Sequence, residues 1–446
     1  MIILGAGPAG LVLGNLLAAA GIDCVVLERA AGADVQTRAR AGFLAANTVR
    51  ILDRHGLAEG LHRRGRPHSV CEFRTEERRF RLDYGSLGRG ERHTVYPQQE
   101  LVTDLVTRYT ALGGRIRFRT EALAVLDADG ARPSVTVRGP DGRPGRWEGR
   151  YVAGCDGRHG AARRSLPPGA VRRRHRDHGV SWLGLLAEAP PSLDAVGYAV
   201  HDRGFAGHMA RTADVTRYYL QCPRGTPADA WSDDQVWAEL DLRMRAERYG
   251  PLRRGPLLQR TVFDLESDVL EPLRHGTLLL AGDAAGLLSP SAAKGANLAV
   301  LEAELLAHAL IRALAHGDHE GLDAYSARCL PHIRRAQRFS RWMIRLLHDV
   351  PDTGAGALSD MPGTGAGPLP DIPGTGAGPL PHIPGAGEDS PPDVPGTNEG
   401  SPPDIPGTGA GSPSPFPDDL TKPACLETLR TSRAEQDWFA ENYVGI

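Results

Sequence analysis

The chain has 446 residues, enough for two or three domains with sizeable cores. Its 41% hydrophobic and 24% charged residues are those of an ordinary globular protein, and a net charge of −2 argues against a general nucleic-acid binder. No apolar run is long enough to span a bilayer, and six scattered cysteines without metal-like spacing fit free thiols in a reducing cytoplasm. No signal peptide precedes the first apolar run, whose shortness points to a few native residues ahead of it. Lys294 and Lys422 are the only lysines, so an isolated arginine says little here.

In chain order, Met1–Leu4 is a short apolar run leading into Gly5-Ala6-Gly7-Pro8-Ala9-Gly10. The apolar, helix-like segment Leu11–Ala20 follows, then a second apolar run, Cys24–Leu27, that ends at Glu28. Strand, glycine turn, helix, strand and acid in this order make a dinucleotide-binding βαβ unit. Gly5 permits the tight turn, Gly7 lets the backbone approach a pyrophosphate, and Gly10 lets the helix pack close to the strand. The helix N-terminus offers unpaired N–H groups to phosphates, and Glu28 stands where a carboxylate accepts hydrogen bonds from an adenosine ribose.

A polar piece, Arg29–Thr37, and then Arg38-Ala39-Arg40-Ala41-Gly42 lead to a predicted helix at Asn47–His55, with His68 in a following loop. Cys71–Leu82 alternates apolar and polar residues and predicts a hairpin. Val95-Tyr96-Pro97-Gln98-Gln99 opens a helix through Leu112, and residues 115–152 read as successive strands ending at Gly154-Cys155-Asp156-Gly157. Residues 180–222 are strand-rich, and Trp231–Tyr249 reads as a helix. Thr277–Leu280 is an apolar strand running into Ala281-Gly282-Asp283-Ala284-Ala285, with long helices at Asn297–Ala315 and Leu322–His348.

Residues 353–419 differ from the rest. Five units of about 11 residues start at Asp360, Asp371, His382, Asp393 and Asp404, each with a Pro-Gly pair near its start. A Pro/Gly tract with almost no large apolar residues cannot bury a core, so it predicts disorder. No unit has an apolar face to stack, which favours a flexible or PPII-like linker over a solenoid.

These motifs together resemble the single-component flavoprotein aromatic hydroxylases. The resemblance is carried by Gly5–Gly10 with Glu28, Arg38–Gly42, Val95–Gln98, Gly154–Gly157, Trp182–Leu186, Arg217–Tyr219, Leu279–Ala285, Ala293–Ala299, Arg338–Met343 and Glu441–Gly445. Only 353–419 lacks a counterpart. The resemblance implies an α/β fold: a doubly wound FAD-binding domain (residues 1–73, 98–177 and 270–320) interrupted by an antiparallel-sheet substrate domain (74–97 and 178–269). A C-terminal helical region (321–352 and 421–446) and a disordered Pro/Gly-rich insertion (353–420) complete it, and a homodimer is implied.

By the same resemblance, Gly5, Gly7, Gly10 and Glu28 hold the ADP part of FAD. Arg40 and Gln98 contact its phosphate or ribityl region, and Asp283 binds the ribityl hydroxyls. Arg217 lies near the flavin, and the helix starting near Ala293–Asn297, with Ala296 and Asn297, points its N-terminus at the ring. Asp156 and Asp283 favour FAD over a transient NAD(P)H site, which needs no second carboxylate. Carboxylates accept from ribityl hydroxyls, and a helix N-terminus stabilises an anionic reduced flavin.

The implied reaction begins with reduction of FAD by NADH or NADPH. Reduced flavin then binds O2, and the resulting C4a-hydroperoxide delivers oxygen to the 3-position of 4-hydroxybenzoate, giving 3,4-dihydroxybenzoate. An electron-rich ring requires the phenol to lose its proton, hence a base and a path to solvent. Tyr198, Tyr443 and His68 match the phenol-contacting tyrosine, a second tyrosine and a surface histidine expected to titrate near neutrality. Arg211 and Tyr219 match the carboxylate-binding pair. Pro290 matches a proline whose carbonyl approaches the substrate. The resemblance places nicotinamide recognition around Arg29–Gln36, Arg29 included, with His159 and Arg163 toward the pyrophosphate. Asp34 would repel a 2′-phosphate, and Ala30 and Ala31 offer it no hydrogen bond, which predicts NADH, or both cofactors, over strict NADPH use.

Several positions depart from the family pattern. Met209 stands where a serine hydroxyl binds the carboxylate, at a cost on the order of 1.5–3 kcal/mol for one charge-assisted hydrogen bond unless another group replaces it. Gly286 replaces a histidine, Ser289-Pro290-Ser291-Ala292 replaces Pro-Pro-Thr-Gly, and Glu266 replaces an arginine. Two other readings stay open. One is the same chemistry on another para-substituted benzoate, such as an aminobenzoate or a tailoring-pathway intermediate. The other is a non-catalytic flavin-binding protein tethered by its Pro/Gly tract.

Overall fold

A computed structural model describes residues 1–38, 42–76, 78–245, 251–349, 359–362 (backbone), 414–416 and 420–445. Its first sheet has six strands in the order Arg274–His275, Leu278–Leu280, Val152–Gly154, Ile2–Leu4, Val25–Leu27 and Arg115–Arg117. The last five run parallel, and Arg274–His275 is antiparallel to its neighbour. Ile2, Ile3 and Leu4 are all fully buried. That is why these strands read as continuous apolar runs: a parallel sheet is covered on both faces. Helix Pro8–Ala19 packs on helices Gln98–Ala111 and Gly295–His316 above this sheet. The antiparallel meander Glu121–Leu126, Ser134–Arg138 and Pro144–Glu148 contributes Val125, Val135 and Val137 to the same core.

The second large sheet runs Gly286–Leu287, Leu257–Glu271, Arg172–Ala187, Thr216–Cys222, Ala206–Ala210, Val196–Ala199, Val70–Arg74 and Arg79–Asp83. It is antiparallel as expected, with one exception: Val196–Ala199 runs parallel to Val70–Arg74. Those two strands come from distant chain segments, so no hairpin dictates their direction. Register decides what faces the neighbouring domain. Gly207 lies opposite both Tyr198 and Tyr219, and Met209 lies opposite Arg217. With a side-chain period of two, these residues share one face. The other face carries Tyr218, Leu183 and Leu185, packed beneath Trp237 of helix Asp233–Arg243. That helix is shorter than the predicted Trp231–Tyr249: a Ser232–Gln235 capping box starts it, and residues 246–250 lie outside the described part.

Three corrections concern the site. His68 is not in a loop but in strand Arg66–His68, paired to His93–Val95 with His68 opposite His93. The expected linker 353–420 lies mostly outside the described residues, but Ser359–Pro362 adds a strand to Arg172–His175. At those residues the long strand pairs with Leu257–Glu271 alone, and its second edge is free to accept one. Phe416, also in the expected linker, is buried with its ring 4.9 Å from Trp342 and 5.7 Å from Trp438. This aromatic cluster joins helix Tyr325–Leu347 to helix Arg433–Val444, and Leu426 and Leu429 of helix Lys422–Thr431 belong to the same apolar core. Among the described residues no helix is long and apolar enough to cross a membrane.

Burial has a consequence for acid stability. It pushes His178 and His208 down to about 4 and His348 down to about 3. Their protonated forms are disfavoured in the fold, so the unfolded chain binds more protons between pH 6.5 and 4. Stability therefore rises with pH across that window and is lost on acidification. Burial also raises Asp156 to about 6 and Glu302 to about 8. These act in the opposite sense, but the imidazoles outnumber them below pH 6.5. The urea midpoint should fall as pH drops from 6.5 to 4, by an amount equivalent to a few kcal/mol, since each tenfold change in proton affinity is worth about 1.4 kcal/mol. A flat midpoint would contradict this.

Candidate active site

A cavity of about 850 Å³ runs from the glycine turn to the substrate-sheet face. Gly5 has φ +95°, and a Cβ there would lie 2.4 Å from the Cys155 carbonyl oxygen. Gly7 lines the cavity, and a Cβ on it would meet nothing within 4 Å, so it would project into open space. Gly10 is under the turn, where a Cβ would lie 2.1 Å from the Gly5 carbonyl oxygen. Glu28 lines the cavity while accepting from the backbone N–H of Ala6 and of Ala30, each at 2.8 Å. Those bonds fix the carboxylate and leave lone pairs for a ribose. Gln98 is on the wall as expected. Arg40 lies outside the described residues.

Asp156 is on the wall too. Its Oδ2 accepts from the Ala162 N–H at 3.1 Å, and its Oδ1 is buried with no hydrogen-bond partner among the described residues. Asp283 and Ala296 line the cavity, the second in the first turn of helix Gly295–His316. Asn297 does not. Its Oδ1 accepts from Ala45 N–H and Thr48 Oγ1, both at 2.8 Å, and its Nδ2 donates to the Phe43 and Ala293 carbonyls, both at 2.9 Å. All four bonding capacities are used, so Asn297 ties the helix start to the Phe43–Ala45 segment instead of contacting a ligand.

The altered loop has its own supports. Pro290 starts a short 3₁₀ turn on the wall, and Ser289 caps it. Ser291 Oγ lies 2.8 Å from Ser340 Oγ, which anchors the turn to helix Tyr325–Leu347. Ala293 follows with φ +52°. Gly286 pairs with Val269, where a Cβ would lie 3.1 Å from the Asp268 carbonyl oxygen. The glycine thus permits a close strand approach that a histidine would widen.

On the substrate side Trp182 packs at 4.8 Å from Phe205 and 5.0 Å from Tyr219. Its Nε1–H donates to His348 Nε2 at 3.1 Å, and His348 Nδ1 lies 2.7 Å from Gln221 Oε1. Burial keeps His348 neutral, so it both accepts and donates and locks the indole in place. Met209, Arg217 and Tyr219 are on the cavity wall. Arg217 lies over the Tyr219 ring, 6.0 Å from its centroid. Arg211 is buried beyond the end of strand Ala206–Ala210 and is not on that wall. Burial, with Arg217 adding its charge, pushes Arg211 down to about 10 against the influence of Tyr219.

Tyr198 and Tyr443 come together from opposite ends of the chain, their hydroxyls 2.7 Å apart and buried. Tyr198 is on the cavity wall. Burial raises both phenols, so neither ionises near neutral pH. His68 contradicts its expected titration near neutrality: burial pushes it down to about 4, and its Nδ1 lies 2.8 Å from the Tyr84 hydroxyl.

Arg29 and His159 line the cavity. Arg163 corrects the reading of a nicotinamide ligand. Its guanidinium forms a buried fork with Asp268 at 2.8 and 3.1 Å and donates to the Ala284 carbonyl at 2.7 Å. An arginine so engaged braces the loop. Glu266, the other departure on this side, pairs with Arg158 at 2.6 Å.

The sequence reading assigned no role to Lys294. It is buried on the cavity wall, and its Nζ donates to the Tyr443 carbonyl at 2.7 Å and the Gly445 carbonyl at 2.5 Å. Burial holds it well below its ordinary value. Its signal was its rarity, as one of two lysines among 52 basic residues. Tyr84 was also missed, and it carried no such signal. Away from the cavity, His55, Glu304 and His308 bring donor atoms within 4.8 Å of one another, but Arg54 already pairs with Glu304 at 2.6 Å.

A glycine-turn nucleotide site opens onto an aromatic chamber where Tyr198, Arg217 and Tyr219 share one sheet face and Tyr443 reaches Tyr198 from the C-terminal helix, the arrangement of a nucleotide-cofactor enzyme. Residues 1–340 match the FAD binding domain family. The chain is 39% identical over 346 residues to p-hydroxybenzoate hydroxylase of Acinetobacter baylyi, covering 78% of this chain and 85% of that one. It belongs to the FAD-dependent aromatic hydroxylase family, whose members are flavoprotein monooxygenases. It is also 27% identical over 371 residues to 3-amino-4-hydroxybenzoate 2-monooxygenase PtmB3 of Streptomyces platensis, covering 76% of this chain and 86% of that one. Its fold matches p-nitrophenol 4-monooxygenase PnpA of Pseudomonas putida DLL-E4 with a TM-score of 0.68 at 20% identity, over 79% of this chain and 90% of that one. The cavity suits FAD on its own terms. Gly7 leaves space that a side chain would fill, and Asp156 Oδ1 is a buried acceptor without a partner among the described residues.

Proposed function

We propose that this chain hydroxylates a phenolic benzoate ortho to its hydroxyl, 4-hydroxybenzoate at the 3-position above all, with NADH or NADPH as reductant and O2 as oxidant. The observation that carries this reading is the buried Tyr198–Tyr443 pair at 2.7 Å, in which Tyr443 of helix Arg433–Val444 meets Tyr198 on the sheet face that also presents Arg217 and Tyr219. A hydrogen-bonded pair of un-ionised phenols passes a proton without holding charge. Tyr198 takes the substrate's phenolic proton and Tyr443 carries it away, leaving a phenolate ring rich enough in electrons to be attacked. Arg217 on the cavity wall attracts the carboxylate, and buried Arg211 is close enough to add to its positive field. Trp182 and Phe205 keep water from the ring.

Gly5, Gly7, Gly10 and Glu28 would hold the ADP part of FAD, with Gln98, Asp283 and Ala296 toward the rest and Arg29 and His159 toward the nicotinamide nucleotide. When bound, FAD supplies hydride acceptance and O2 activation.

Met209 favours a second reading, hydroxylation of a benzoate with a further ring substituent. It offers a flexible apolar surface where a hydroxyl would otherwise bind the carboxylate, and one relative of this chain is named for 3-amino-4-hydroxybenzoate. Steady-state assays with 4-hydroxybenzoate and 3-amino-4-hydroxybenzoate, each with NADH and NADPH, decide between the two. The first reading expects 4-hydroxybenzoate to stimulate NADH oxidation and give dihydroxylated product with little peroxide. No stimulation by 4-hydroxybenzoate overturns it, and a strong preference for NADPH overturns the cofactor reading drawn from the exposed Asp34.

A further inference from the structure

Strand Arg172–Ala187 pairs with Thr216–Cys222 only over Ser181–Ala187. Ahead of that, its pairing with Leu257–Glu271 shifts register between Asp177 and Ser181, around Gly179 with φ +68°. The stretch Arg172–His175 thus runs past the end of its neighbour, and Ser359–Pro362 adds antiparallel to the edge it presents. That edge is strongly basic, with Arg172, Arg173, Arg174, His175 and Arg176 in succession. Arg173 pairs with Asp268 at 3.0 Å and Arg174 with Glu271 at 3.5 Å. Both carboxylates are shared, Asp268 with Arg163 and Glu271 with Arg334, so cations outnumber anions around them.

We propose that the basic edge Arg172–Arg176 is a strand-addition site for an acidic Asp-apolar-Pro segment, and that its occupant is the first repeat of the chain's own Pro/Gly tract. Between Asp349 and Lys422 the chain has no Lys or Arg. Asp360-Met361-Pro362-Gly363 recurs as Asp371-Ile372-Pro373-Gly374, His382-Ile383-Pro384-Gly385, Asp393-Val394-Pro395-Gly396 and Asp404-Ile405-Pro406-Gly407. In the added strand Asp360 stands opposite Arg174 and Met361 opposite Arg173. Opposite charges at directly facing positions favour a pairing, while main-chain hydrogen bonds supply the affinity of an added strand. Pro362 ends the pairing opposite Arg172. A proline has no N–H to donate, so the added strand is a poor template for a further one and the sheet stops there. Tethering in the same chain raises the effective concentration of the repeat over that of any free acidic peptide. The tract is thereby an internal ligand of the substrate sheet as well as a connection to the C-terminal helices.

The test is amide hydrogen exchange on the FAD-loaded full chain, compared with a free peptide of residues 357–367. Alternate amides of an added strand point to its partner, so one of Asp360 and Met361 should exchange at least about tenfold slower than in the peptide. Salt at about 1 M cuts the reach of a charge to about 3 Å and should reduce that protection at least about threefold. The double variant Arg172→Glu/Arg176→Glu, its flavin absorbance confirming the fold, should lose the protection. If that variant loses flavin, the salt series decides. Exchange at the free-peptide rate in the unmodified chain overturns the site. Protection that survives salt, or the charge reversal in a flavin-loaded variant, overturns the acidic-ligand assignment. Protection that grows with protein concentration gives the edge to a second copy and overturns the intrachain occupant.

Discussion

Tyr443→Phe is expected to lower formation of hydroxylated product on the order of 10²-fold while the protein still binds flavin. The substitution removes one oxygen. Tyr198 then keeps a buried hydroxyl whose partner at 2.7 Å is gone, and the phenol of the substrate loses its exit. The ring should stay where it is. It stacks on Phe439 with centroids 5.0 Å apart, it is edge-on to His93 at 5.0 Å, and Lys294 Nζ donates to the Tyr443 carbonyl rather than to the side chain. The electrons should still flow, so NADH consumption would yield peroxide in place of product. Comparing product with peroxide per NADH consumed measures this directly. Full coupling in Tyr443→Phe would remove Tyr443 from the path.

Gly10→Ala is expected to yield a protein that binds no FAD and is destabilised by about 3 kcal/mol, the upper end for one added methyl in a packed site. A Cβ at Gly10 would lie 2.1 Å from the Gly5 carbonyl oxygen, 3.2 Å from Ile3 Cγ2 and 3.3 Å from Cys155 Cβ. None of these can yield cheaply. The first is the backbone of the nucleotide turn itself, and the others belong to the strand before it and to the residue following Val152–Gly154. Relief requires helix Pro8–Ala19 to back away from the sheet, which moves its N-terminus off the phosphate position. Flavin content after purification and the urea midpoint are the two readouts. Wild-type flavin content would show that the helix has room to shift.

The parts of the site that were legible in the sequence are those in which a local requirement dictates residue type. Gly5 must be glycine because its φ is +95° and a carbonyl crowds it, and both causes lie within the βαβ unit and its neighbouring strand. Glu28 follows from the length of one helix and two strands. The alternation that places Met209, Arg217 and Tyr219 on one face is a period-two pattern that a strand imposes wherever it lies. Asn297 and Arg163 were assigned to ligands by position. What position could not show is that each had already filled its hydrogen bonds, Asn297 with Phe43 and Ala45, and Arg163 with Asp268. His68 was misjudged for a related reason: an imidazole's titration depends on the water around it, and water access is set by the segments packed over it.

By itself, the sequence determined the nucleotide turn, the strand faces and the family, because short-range sterics and periodicity need no knowledge of distant residues. The tertiary structure alone decided which distant groups meet. Tyr198 reaches Tyr443 across 245 positions of sequence, and Lys294 reaches Tyr443 across 149. Tyr84 acquires its place between His68 and His93 only when two strands pair and a short turn closes over them. Hydrogen-bond complementarity between such groups is a matter of a few tenths of an ångström in three dimensions, and no spacing along the chain encodes it.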